Sequence, residues 1–157
     1  MEVKPKRVLW PTDFSDLSLH GGRYARAFCE LFEAELHVIH VVPPPLNTDV
    51  SLSVPAEVPM AVSEPELVAA AQETLEKLVG EHLAGYAHVV TKVCFGNPWP
   101  SICNYAKDNA IDLIIITTHG RTGLSHVLIG STAERIVQHA PCPVLTVKHA
   151  AKDFVAQ

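Results

Sequence analysis

Two stretches of the chain bring together groups able to hold an anion. The longer is Thr117-Thr118-His119-Gly120-Arg121-Thr122-Gly123, continuing through Leu124 to Ile129 into Gly130-Ser131-Thr132. Close binding of a bulky anion requires backbone N–H groups that can approach it, and glycine permits both the approach and the positive φ angles of an amide nest. Gly120, Gly123 and Gly130 meet that need. Ser131 and Thr132 stand at the expected start of a helix, where unpaired N–H groups and the helix dipole favour negative charge. Arg121 and His119 add charge-assisted donors. The shorter stretch is Pro11-Thr12-Asp13-Phe14-Ser15-Asp16, whose hydroxyls and carboxylates can cap a helix or face a ligand. Taken singly, each residue has a plainer use: Gly120 and Gly123 can shape a turn, and Ser131 or Asp13 can serve only as a cap. Three glycines, two hydroxyls, a histidine and an arginine on one loop favour the anion-binding reading of the whole.

Other signatures are absent from the sequence. There is no GxxxxGK[ST] phosphate loop, no GxGxxG dinucleotide fingerprint, and the PTDFSD stretch lacks the glycines of a pyrophosphate-cleaving loop. The four cysteines, Cys29, Cys94, Cys103 and Cys142, form neither a CxxC pair nor a zinc ligand set, so reduced structural thiols are expected. His37 and His40, three apart on an expected strand, point to opposite faces, which argues against a metal site between them.

The elements that must position these groups follow from periodicity. A first strand over Lys6–Thr12 centres on Val8-Leu9-Trp10 and ends at Pro11. Asp13 or Ser15 then caps a helix whose apolar stripe is Leu17, Tyr24, Phe28 and Leu31, ending near Glu33 or Ala34. Glu35–Val42 is apolar on both alternating sets, the mark of a strand covered on two faces. Residues 43–65 carry six prolines and no periodicity, and are expected to be an irregular loop. Helical spacing returns from Glu66 to about Ala84, with Gly85 as a stop. His88–Phe95 reads as a less buried edge strand. Asn97-Pro98 starts a helix with Ile102, Cys103 and Ala106 inward. Asp112–Thr118, with its continuous Leu113-Ile114-Ile115-Ile116, belongs at the sheet centre. Ser131 or Thr132 caps a last helix to about His139, and Val144–Lys148 is the final strand.

The order βαβαβαβαβ predicts an α/β fold, a doubly wound five-stranded parallel sheet with helices on both faces. Strand orders 2-1-3-4-5 and 3-2-1-4-5 both satisfy it, and the second is carried forward. Ligands of such sheets lie beyond the carboxyl ends of the strands where the order reverses. That places the loops after strands one and four together. The 157 residues suit one domain, 48% hydrophobic and 18% charged, with residues 150–157 as a dispensable tail. Twelve basic against seventeen acidic residues leave a formal charge of −5, which speaks against nucleic acid as a partner. With no stretch long enough to cross a bilayer, no membrane partner and a cytoplasmic location are expected.

From Arg7 to Lys148 the chain resembles the universal stress protein family. The carriers are VLWPTDFSDLS at the start and THGRTGLSHVLIGSTAERIVQHAPCPVLTV near the end. Nucleotide-binding members have a Gly-x2-Gly-x9-Gly-[Ser/Thr] loop, and Gly120, nine residues, then Gly130-Ser131 match its last three elements. Thr117 occupies the first glycine's place. Its Cβ restricts approach to a phosphate, and ordinary strand angles would make it tolerable.

The resemblance implies a regulatory module for stress response that binds ATP, ADP or AMP, with Mg²⁺ a candidate companion of the phosphates. It implies Asp13 on the ribose, Val41 main-chain groups on the adenine and Thr12 lining the pocket. Gly120, Arg121, Gly130, Ser131 and Thr132 would surround the phosphates, with His119 in the pocket wall. It also implies a homodimer through the last strand, Val144–Val147, and a protein partner of unknown identity. Two alternatives stay open, a dimeric scaffold without nucleotide and a slow ATPase, although no carboxylate or histidine stands in an evident water-activating pair.

Overall fold

The structure, a computed structural model, describes residues 4–45, 62–118, 129–148 and 152–155. Within them the chain runs β1 (Arg7–Pro11), α1 (Asp16–Phe32), β2 (Glu35–Val42), α2 (Glu64–His82), β3 (Val89–Phe95), α3 (Pro98–Asp108), β4 (Leu113–Thr117), α4 (Ser131–His139) and β5 (Val144–Val147). The strands form one sheet in the order β3-β2-β1-β4-β5, and every pairing is parallel. Of the two orders open to the sequence, the structure therefore takes 3-2-1-4-5. The order reverses between β1 and β4.

Alternation along the strands feeds two cores. Val8, Trp10, Leu36, Val38 and Ile115 pack with Tyr24, Ala25, Cys29, Leu75 and Leu78 of α1 and α2. Leu9, Ile39, Ile114 and Ile116 pack on the other face with Ile102, Cys103, Ala106, Ala133 and Ile136 of α3 and α4. β2 is buried on both alternating sets from Leu36 to Val42, as a strand covered on two faces must be. β3 lies at one sheet edge with an alternating, partly exposed pattern.

Three local expectations change. The buried ridge of α1 is Ser18, Gly21, Gly22, Ala25 and Cys29 beside Tyr24, while Leu31 is 74% exposed. Small residues let the helix lie close on the sheet, so the larger apolar ones are pushed to its flanks. α2 begins at Glu64, inside the stretch expected to be irregular. Ser63 is its N-cap, the Glu66 carboxylate accepts from both Ser63 N–H and Oγ–H at 2.8 Å, and Pro65 sits in the first turn, where its missing N–H costs nothing. Residues 46–61 of the proline-rich stretch lie outside the described residues. α4 is capped by Gly130, which makes Ser131 its first helical residue instead of its cap.

Tail residues 152–155 lie against α1. The Asp153 carboxylate accepts from Arg23 Nη2 at 2.7 Å and from Tyr24 Oη at 2.8 Å, Arg23 also donates to the Val155 carbonyl, and Phe154 packs edge-on to Tyr24. The Tyr24 hydrogen bond, helped by Arg23, holds the Asp153 carboxyl below the usual carboxylate range. A depressed folded-state value means stabilisation that is full above the ordinary carboxylate range and lost as pH falls through the folded value. Wild type should thus melt above Asp153→Asn at neutral pH, and the two should converge only as pH falls through the lowered folded-state value, beneath the ordinary carboxylate range. A gap that stayed constant into acid, measured by thermal denaturation, would contradict the tail contact.

All four cysteines are free thiols. Burial pushes Cys29 up to about 12 and Cys142 up to about 11, so both are protonated and unreactive at neutral pH.

Candidate functional site

At the reversal point, the carboxyl ends of β1, β2 and β4 open onto a cavity of about 280 Å³. Its base is apolar, built by Ile39, Ile102, Ile116 and Ile136. Its polar groups come from the loop after β1, from the end of β4, and from the start of α4. The two stretches singled out in the sequence therefore meet: Thr12, Asp13, Val41, Thr117, Gly130, Ser131 and Thr132 all line this one cavity. His119, Gly120, Arg121 and Gly123 lie outside the described residues.

The loop after β1 is held by its own hydrogen bonds. Thr12 Oγ1 accepts from Phe14 N–H at 3.1 Å and from Ser18 Oγ–H at 2.8 Å. Asp13 Oδ1 accepts from Ser15 N–H at 3.0 Å and Ser15 Oγ–H at 2.5 Å. Ser15, not Asp13, is the N-cap of α1, its Oγ accepting from Ser18 N–H. Asp13 is thus spared the capping role, and its half-buried carboxylate lines the cavity. Phe14 takes a φ of 65°, a left-handed conformation that costs a non-glycine residue on the order of 1 kcal/mol. Its ring lies on the His40 imidazole, with centroids 4.1 Å apart and planes at 26°.

β2 presents main chain to the same space. Its pairing with β1 ends at Pro11↔Ile39, so Val41 lies past the end of β1. Leu36 donates to His88 and Val42 accepts from Gly96, so even-numbered residues of β2 direct their N–H and C=O toward β3. Ile39 accepts from Thr12 N–H, so odd-numbered residues face the β1 side. Val41 follows the odd set, which turns its main chain toward the cavity that it lines.

On the opposite wall, Gly130 N–H donates to the Thr118 carbonyl at 2.6 Å, which joins the exit of β4 to the entry of α4. Among the described residues no side chain caps α4, and its first internal hydrogen bond there runs from Glu134 N–H to the Gly130 carbonyl. The amides of Ser131, Thr132 and Ala133 therefore form the positive end of a helix at the cavity wall, the arrangement that attracts anions. Gly130 has φ −66° and ψ 150°, open to any residue. It adds no side chain to the cavity that it lines. Thr117 belongs to β4 and pairs with Val147, and its Cγ2 lies beside Gly21 of α1, 3.1 Å from where a Cβ on that glycine would stand. Its methyl group thereby points toward α1, on the face of the sheet opposite α4.

Ser18, His40, Pro98, Thr118 and Ala133 also line the cavity and were not singled out as site residues by the sequence. His40 did stand out, but only as a possible ligand paired with His37. The structure puts the two on opposite faces, His37 bonded to Tyr105 and His40 to Thr12. Among the described residues, no cluster of three or more His, Cys, Asp or Glu is placed to hold a metal ion, and no helix is long and apolar enough to cross a membrane.

A doubly wound parallel sheet with a cavity at its reversal point, walled by a carboxylate loop and the N-terminus of α4, defines an α/β domain with a candidate ligand site where such sheets place theirs. Residues 4–148 match the model of the universal stress protein family, and the chain belongs to that family. It is 35% identical over 150 residues to the universal stress protein MJ0531 of Methanocaldococcus jannaschii, covering 94% of this chain and 85% of that one. The solved structure of MJ0577, from the same organism, superposes with a TM-score of 0.76 at 28% identity, covering 96% of this chain and all of that one. Two more distant solved members share the fold. One, in complex with cAMP, has a TM-score of 0.68 at 18% identity over 93% of this chain and 98% of its own. The other, from Archaeoglobus fulgidus in complex with dAMP, has a TM-score of 0.64 at 21% identity over 94% of this chain and 100% of its own.

Proposed function

We propose that the cavity binds an adenine nucleotide, ATP, ADP or AMP, and that the protein works as a cytoplasmic regulatory module in stress response whose loops respond to that nucleotide. The observation that carries this reading is the meeting of three complementary groups at one cavity: the Val41 main chain, the Asp13 carboxylate, and the amides of Ser131 to Ala133. A purine edge, a ribose and a phosphate need those groups in turn. The distant members in complex with cAMP and dAMP support the ligand class. In this reading Thr12 and Thr117 line the pocket. Thr132 and the Gly120, Arg121 and Gly123 segment complete the phosphate side, His119 adds to the wall, and Mg²⁺ accompanies the longer phosphate chains.

The test is direct. Protein purified without added ligand is denatured, and the supernatant is chromatographed for adenine nucleotides. Release of AMP, ADP or ATP is expected. A nucleotide-free supernatant, together with no uptake of any of the three by the desalted protein, overturns the reading and leaves the scaffold alternative.

A homodimer through β5 belongs to the same proposal. β5 is the outermost strand, and its ladder with β4 uses the Pro143 and Val147 carbonyls as acceptors for Ile114 and Thr118 N–H. By the alternation of a parallel ladder, the Thr146 N–H points outward, available to a second copy. Thr146→Pro should remove that donor and leave the sheet intact. A monomer of unchanged circular dichroism is expected in sedimentation, against a wild-type dimer; a variant that remains dimeric would refute pairing through β5.

A further inference from the structure

We propose that His40 is a specificity-determining positioning residue, one that keeps the Val41 main chain available to the purine by occupying the acceptor Val41 would otherwise use. The proposal rests on the nucleotide reading above and deepens it. Thr12 N–H donates to the Ile39 carbonyl at 2.8 Å, one bond of the parallel ladder continued past Pro11. The next bond of that ladder would run from Val41 N–H to the Thr12 carbonyl. In the structure His40 Nδ1 lies 2.8 Å from that carbonyl oxygen. A carbonyl can only accept, so Nδ1 carries the proton and donates.

The imidazole thus stands in for the Val41 amide, and two features fix it there. Its ring is 8% exposed and stacks on Phe14, whose left-handed backbone is braced by the bond from its N–H to Thr12 Oγ1. His40 consequently touches both neighbours of Asp13, the carbonyl before it and the ring after it. The Val41 N–H and C=O, side by side at the cavity, form a donor and an acceptor complementary to the N1 acceptor and amino donor of adenine. Hypoxanthine presents the opposite polarity at the same two positions, so the free Val41 edge is what discriminates AMP from IMP.

The test uses the full chain and three variants. His40→Asn places an amide nitrogen near the Nδ1 position, His40→Gln reaches toward the Nε2 position, and His40→Leu removes the donor. Wild type and His40→Asn should prefer AMP over IMP by about tenfold or more in calorimetry. His40→Leu and His40→Gln should bind AMP about tenfold more weakly and lose the preference. A residue needed only for its bulk would rank Gln and Leu above Asn. In the ligand-free protein, hydrogen exchange at the Val41 amide should slow about tenfold in His40→Leu, as it falls back onto the Thr12 carbonyl, and stay unchanged in His40→Asn. Unchanged exchange and an unchanged AMP to IMP ratio in a folded His40→Leu overturn the proposal. Failure of wild type to bind any nucleotide instead overturns the functional reading, and the exchange measurement still decides whether His40 withholds the Thr12 carbonyl from Val41.

Discussion

Gly22→Val is expected to remove a large share of the protein's stability. A Cβ on Gly22 would stand 2.4 Å from Trp10 Cζ2 and 2.5 Å from Cη2. The indole has no room to retreat, being 1% exposed and tied by its Nε1–H to the Ser18 carbonyl at 3.1 Å. Overpacking a well-filled core costs about 1–3 kcal/mol where neighbours can shift. Here β1 is gripped on both sides by β2 and β4 and cannot shift, so a cost of at least about 3 kcal/mol is expected, a large fraction of the ~5–15 kcal/mol that holds a domain folded. Gly80→Ala supplies the contrast. Its added Cβ would meet nothing within 4 Å, and it sits inside α2, so it should gain roughly 0.5–1 kcal/mol. Urea denaturation reads both, and a Gly22→Val midpoint equal to wild type would refute the packing described for α1.

The second large effect concerns binding. Gly130→Leu should keep the fold, because φ −66° and ψ 150° suit any residue, and should weaken nucleotide binding by about a hundredfold or more. The added side chain would stand at the lip of a cavity of only about 280 Å³, next to the amides of Ser131 to Ala133. Wild-type affinity for AMP in calorimetry, with unchanged circular dichroism, would show that the phosphate does not approach this wall.

Much of this architecture was legible before any coordinates. β2 announced its burial on both faces because Leu36, Val38, His40 and Val42 alternate with His37, Ile39 and Val41 in a run without a solvent-facing set. The strand order was less accessible, because a βαβ chain can wind outward from either side of its first strand and only the pairing of β1 with both β2 and β4 decides. The candidate site residues were readable as loop chemistry: Thr12, Asp13, Gly130, Ser131 and Thr132 all proved to line one cavity. What escaped notice was relational. His40 enters the site because β1 stops at Pro11 while β2 continues to Val42, a difference in strand length that neither segment encodes alone, and Ser18 because the first turn of α1 bonds back to Thr12. The direction of the Thr117 methyl, toward Gly21, likewise depends on how closely α1 lies on β4. The tail's contacts were hidden for the same reason, since Asp153 meets Arg23 and Tyr24 across 130 and 129 residues of chain.

The most direct measurement is a pair of amide-resolved NMR titrations, one with AMP and one with adenosine. If the N-terminus of α4 receives the phosphate, the Ser131, Thr132 and Ala133 amides should shift strongly with AMP and hardly with adenosine, while Val41 shifts with both. Equal responses of those three amides to the two ligands, or none to either, would contradict the claim that this helix end is the phosphate site.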